Sequence, residues 1–97
     1  MTVQFDYDKP LACPNCGTCN LHHSKIDIFN RQQDAGDGLH LHIEKLSMAI
    51  DTEVENNPSE RHDGLTIEFW CEGCDTKPVF ALWQHKGRTY TDLQASK

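Results

Sequence analysis

The segment Cys13-Pro14-Asn15-Cys16-Gly17-Thr18-Cys19 carries three thiols at three-residue intervals, and Cys71-Glu72-Gly73-Cys74 carries two more. Two residues between cysteines let the chain fold back until both sulfurs face one point, with backbone N–H groups aimed at them. Two such knuckles supply four thiolates, the tetrahedral set that zinc takes in structural sites, closed to water and therefore to catalysis. The first segment offers two possible knuckles. In Cys13/Cys16, Pro14 presets φ at the first bend and Gly17 permits the positive φ that follows. In Cys16/Cys19, Asn20 takes that place, and asparagine also tolerates the left-handed region. The 13/16 pair is the better solution, which makes Cys13, Cys16, Cys71 and Cys74 the ligands of one structural Zn2+. Cys19 is then a spare thiol, expected as a small buried or partly buried side chain. A mixed site, with His22 or His23 replacing one cysteine, is the alternative.

Other groups with chemical potential are weaker. His40 and His42 project from one face of a strand, with His22 and His23 as possible neighbours, and a His-x-His pair can hold zinc once a third ligand is found. Asp34 and Asp37 are the candidates for that ligand, but the expectation is a polar strand face without metal. His62-Asp63 could pair a base with its orienter, yet no nucleophile motif accompanies it, and it is expected to serve loop polarity. No catalytic residue is assigned, and the chain is not expected to be an enzyme; a metalloenzyme is the most remote of the readings.

The elements that position these residues follow from alternation. Val3, Phe5 and Tyr7 suggest a short strand before the first knuckle. His22–Phe29 reads as a strand with Ile26 and Ile28 on one face, and 31–38 as an Asp/Gly-rich loop. Leu39, Leu41 and Ile43 alternate with His40, His42 and Glu44. At Lys45 the phase slips to Leu46, Met48 and Ile50, which predicts a hairpin around Glu44-Lys45, because one strand of twelve residues would be unusually long. A polar loop over 55–64 precedes Leu65, Ile67 and Phe69; Val79–Gln84 and Thr89–Leu93 are the last strands, joined by a turn at 85–88, and the tail from Gln94 is expected to fray. Phe69 and at least one tryptophan are expected in the core. No amphipathic helix is found. The fold class is therefore mostly β: a small antiparallel sheet of five to seven strands, one domain over 1–97 with about 3–93 ordered.

CPNCG paired with CEGC across a β hairpin resembles the zinc-ribbon class of metal modules. DGLHLHIE, RHDGLTIEFWCEGC and KPVFALWQHKG, spread over most of 11–90, are similar to small phage and mobile-element zinc-ribbon proteins of unknown function. The resemblance implies a metal module and no established activity. This chain departs from a minimal ribbon in the 54 residues between Cys16 and Cys71.

Length and charge bound the remaining questions. A chain of 97 residues buries a limited core and benefits from a metal cross-link. The odd cysteine count argues against a disulfide framework, no leader pattern opens the chain, and no apolar run is long enough to span a membrane; a reducing, cytoplasmic setting with no membrane association is expected. The formal charge is −6, and residues 31–63 hold eight acids against three bases. That surface repels phosphate backbones and suits a basic protein partner, met through an acidic face including Asp51, Glu53 and Glu55, which would share one side if the strand continued through them. The expected function is protein binding, as an accessory or inhibitor module. Nucleic acid is the alternative partner, met through the basic tip Lys86-Gly87-Arg88 between Trp83 and Tyr90.

Overall fold

The computed structural model describes residues 7–95 and turns the alternating stretches into one antiparallel sheet. Its strands are β1 (Leu21–Asn30), β2 (Leu39–Glu44), β3 (Ser47–Asp51), β4 (Gly64–Cys71), β5 (Val79–His85) and β6 (Arg88–Gln94). Their spatial order is β3-β2-β1-β4-β5-β6. Two three-stranded meanders therefore lie side by side and join through the β1–β4 pair. The small antiparallel β domain expected from sequence is what forms. Val3 and Phe5 lie outside the described residues, Tyr7 is exposed and not in a strand, and β6 runs on through Gln94. No helix of the described residues is long and apolar enough to cross a membrane.

The phase slip at Lys45 is a two-residue turn. β2 ends at Glu44, β3 begins at Ser47, and Lys45 takes a φ of 58°. The turn is thus Lys45-Leu46, one residue later than the sequence suggests. Lys86 and Gly87, both with positive φ, make the β5–β6 turn, the backbone combination that matches strand twist in a tight hairpin. A bulge between His23 and Lys25 accommodates Ser24, whose hydroxyl donates to the Glu68 carbonyl at 3.1 Å.

Register sorts the side chains into two unlike faces. Met48, Ile43, Ile26, Ile67, Phe80 and Leu93 stand opposite one another across all six strands, and so do Ile50, Leu41, Ile28, Leu65, Leu82 and Thr91. The reverse face carries the rows Asp51-His40-Phe29-Gly64-Trp83-Tyr90 and Ala49-His42-Asp27-Thr66-Ala81-Asp92. On this second face the loop between β3 and β4 folds back over Gly64, where a Cβ would collide with Asn57 Oδ1 and the Pro58 ring. Ser59, buried in the same loop, donates to the Gln84 carbonyl at 2.7 Å and accepts from the His62 N–H.

Burial is sparse. Phe29 at 2% exposure, Cys13 and Cys71 are the buried apolar residues, joined by Pro78 and Ser59. The expectation of a core built on Phe69 and a tryptophan is corrected: Phe69 and Trp83 are half-buried and Trp70 is exposed. A single sheet has no second layer to enclose them. The radius of gyration, 14.7 Å, exceeds the ~12.5 Å of a compact domain of this length, as one open layer should.

With so few enclosed side chains, stability concentrates on Phe29. Phe29→Ala should cost about 3–5 kcal/mol, whereas Leu46→Ala, at a turn position with 106% exposure, should stay within about 0.5 kcal/mol. Denaturant unfolding of the zinc-loaded protein measures both.

Candidate metal centre

Cys71 closes β4, and the residue opposite it is Leu21, the first of β1. The first knuckle precedes β1 and the second follows β4, so both hang from the same end of the central strand pair. The first is tied by Cys13 N–H to the Thr18 carbonyl (2.7 Å) and Gly17 N–H to the Cys13 carbonyl (2.9 Å), with Gly17 at a φ of 81°. The Glu72 N–H reaches the Asn20 carbonyl at 3.1 Å and links the two knuckles. Gly73 serves less to ease a bend than to permit contact: a Cβ there would lie 3.0 Å from Thr18 Cγ2 and 3.1 Å from Cys16 Sγ.

The sulfurs of Cys13, Cys16, Cys71 and Cys74 all fall within 4.8 Å of one another. Cys13 and Cys74 are 3.8 Å apart and Cys16 and Cys71 are 3.5 Å apart. A tetrahedron with Zn–S bonds of about 2.3 Å places its sulfurs about 3.8 Å apart, so the separations fit that ion. Surrounding donors prepare the sulfurs for negative charge. Gly73 N–H points at Cys71 Sγ (3.3 Å) and the Asn15 amide at Cys74 Sγ (3.4 Å), while the Thr76 hydroxyl sits 3.1 Å from Cys74. Thr76 and Asn15 hold the Cys74 thiol down at about 6, and the backbone at Cys16 lowers that of Cys13. Burial pushes Cys71 up to about 12. Without a cation, four crowded sulfurs cannot all ionise; a divalent ion removes that conflict.

Cys19 is outside the cluster and exposed, not buried as expected from sequence. His22 points elsewhere, with Nε2 2.6 Å from Glu72 Oε2 and its ring stacked on Trp70 at 4.6 Å. The mixed cysteine–histidine set has no geometric support.

The remaining candidates separate clearly. His62 accepts the Asp63 N–H at 2.8 Å, and Asp63 accepts from Arg31 N–H, so this pair braces its loop. Asp34 pairs with Arg61, and neither Asp34 nor Asp37 is part of the histidine cluster. The carboxylate beside His40 and His42 is instead Asp27, from the neighbouring strand β1. Burial works against protonation of His40, but its hydrogen bonds to Asp27 and Asp51 prevail and raise its pKa; those of His42 to Asp27 and Glu44 raise its own. β3 stops at Asp51, so Glu53 and Glu55 lie beyond the strand, exposed, and Asp51 is turned to His40. Trp83 and Tyr90 stack on each other at 5.8 Å beside the Lys86-Gly87 turn.

Fold and site together define a six-stranded antiparallel β domain with a zinc-ribbon-like four-cysteine centre. No protein-family model, curated protein or solved structure matches the chain, and the likeness to phage and mobile-element proteins finds no support there.

Zinc binding in small domains is folding energy, about 10–16 kcal/mol for structural sites. Serine at Cys13, Cys16, Cys71 or Cys74 should therefore abolish metal retention and unfold the domain, while Cys19→Ser should keep its zinc and its melting temperature. Since the ligands bind as thiolates, zinc should be released as pH falls. Elemental analysis and circular dichroism across a pH series check both statements.

Proposed function

We propose that this chain is a zinc-stabilised protein-binding module, with Cys13, Cys16, Cys71 and Cys74 as ligands of one structural Zn2+ and the apolar sheet face as its docking surface. The observation that carries the reading is that one apolar row crosses all six strands and a second crosses five of them, ending at Thr91, with every side chain half-buried or exposed. Met48 and Ile50 are 64% and 61% exposed. Rows of this extent cover on the order of 400 Å2 in projection, the size at which exposed apolar patches mark interaction sites. A depression of about 290 Å3 beside Ile26, Ile43 and Trp70 offers a seat for an inserted side chain.

Charge selects the occupant. Four thiolates around one zinc add −2 to the formal −6, and a second copy would bring the same charge to the interface. A basic protein with an apolar patch gains where a second copy loses, and Glu53 and Glu55 stand exposed just past the β3 edge to meet its rim. Such a partner fits an accessory or inhibitor role in a reducing cytoplasm, with zinc structural and no chemistry at the four-cysteine centre. A phosphate backbone would meet the same acidic field.

Purified protein should be monomeric and bind a hydrophobic dye. Captured partners should be basic, released as salt rises, and lost with Ile28→Glu or Leu41→Glu while zinc content holds. A dimer that Ile28→Glu dissociates would replace the partner by a second copy. Partner binding indifferent to both substitutions, or tight DNA binding dependent on Lys86 and Arg88, would overturn the reading.

A further inference from the structure

On the opposite face, three strands bring together five polar side chains, one from β1, three from β2 and one from β3. Asp27 of β1 stands directly across from His42 of β2, His40 lies two residues along the same strand, and Asp51 of β3 stands across from His40. The inner nitrogens converge: His40 Nε2 is 2.8 Å and His42 Nδ1 is 2.7 Å from the same atom, Asp27 Oδ1. The outer nitrogens each have a carboxylate of their own, His40 Nδ1 at 2.8 Å from Asp51 Oδ1 and His42 Nε2 at 3.1 Å from Glu44 Oε1.

We propose that Asp27, His40 and His42 form a second metal site, for a divalent first-row cation such as Zn2+, with Asp51 and Glu44 orienting the two rings. When a ring's outer N–H donates to Asp51 or Glu44, its inner nitrogen is left as a lone pair. This is the carboxylate–histidine–metal arrangement by which proteins fix the tautomer and raise the basicity of a ligating imidazole. Two lone pairs and a carboxylate oxygen then face one another within 4.8 Å, a conflict that either a proton on each ring or one cation among the three removes. With neutral rings the three carboxylates sum to −3, and one divalent cation brings the cluster to −1.

The scaffold is firm where the ligands need it. The His40 ring lies flat on Phe29, the largest of the fully buried side chains, at 4.5 Å and 4°. Zn–N and Zn–O bonds of about 2.0–2.2 Å set their donors roughly 3.3 Å apart, so the present contacts open by about half an ångström to admit the ion. Two imidazoles and one carboxylate favour Zn2+, Ni2+, Cu2+ or Fe2+ over the oxygen-seeking Mg2+ and Ca2+. Three protein ligands leave a position open, and side-chain exposures of 14% for His40, 26% for Asp27 and 31% for His42 keep it reachable from solvent. The site is independent of the four-cysteine centre: Asp27 lies six residues along β1 from Leu21, about 20 Å at strand rise.

The test starts from protein whose cysteine centre holds zinc and whose loosely bound metal has been removed by gel filtration. Calorimetric titration with Zn2+ at mildly alkaline pH should show one further equivalent. Co2+ added instead should give d–d bands without thiolate-to-metal charge transfer. Asp27→Asn and His42→Gln should each weaken the second site at least about a hundredfold, and Glu44→Gln about 10–100-fold, all retaining the cysteine-bound zinc. His42→Gln serves alone should Asp27→Asn fail to fold. Wild-type protein taking up no second equivalent, or an equivalent that survives His42→Gln undiminished, would overturn the proposal.

Discussion

The convergence of four sulfurs at one end of the β1–β4 pair is the constraint on which the rest of the structure depends. Each of these strands belongs to its own meander, and only their mutual pairing makes one sheet. Cys13 and Cys71, both members of the cluster, are among the few buried side chains of the described residues. A domain this thin buries little and gains from a cross-link that ties together the ends of the 54 residues between the knuckles. A zinc ion held by the four sulfurs would act where the two halves meet. The long segment between the knuckles is thereby explained: it builds β2, β3 and the loop that encloses Phe29.

One layer with two faces has a further consequence. On the polar face, the 52–63 loop and the stacking of Phe29 with His40 make a small enclosed region, anchored by Ser59 and permitted by the missing side chain at Gly64. On the other face, among the described residues, the two rows stay half-buried or exposed. Buried area of this kind is a large favourable term when it is found, and its scarcity on one side is what motivates the proposed docking surface. The net acidic charge of the chain disfavours self-association through such a face.

The two clusters of metal-binding side chains differ as their surroundings do. The cysteines are soft ligands, closed in by knuckle backbone and by Thr76 and Asn15. Asp27, His40 and His42 are borderline ligands on an open strand surface, braced by carboxylates. The first set suits an ion that holds the fold, the second an exchangeable one.

What could be read from the residues alone was whatever depends on near neighbours in the chain. The 13/16 knuckle followed from Pro14 and Gly17, β1 and β4 through β6 from alternation, and the β2–β3 hairpin from the phase slip at Lys45. These features have short-range causes: a φ preset by a ring, a φ allowed by a missing Cβ, a side-chain period of two. Tertiary structure decided everything that depends on which strands lie side by side. Asp27 is thirteen residues from His40 in sequence, and only the β1–β2 register puts their side chains together, so the sequence pointed to Asp34 and Asp37 instead. Phe29 rather than Phe69 became the buried aromatic because the 52–63 loop returns over its face and not over the other. Cys19 looked inward-facing by residue type and lies exposed because the knuckle is complete without it. Local rules specify direction and period along a strand, whereas burial and ligand sets arise from register between strands, which no local pattern encodes.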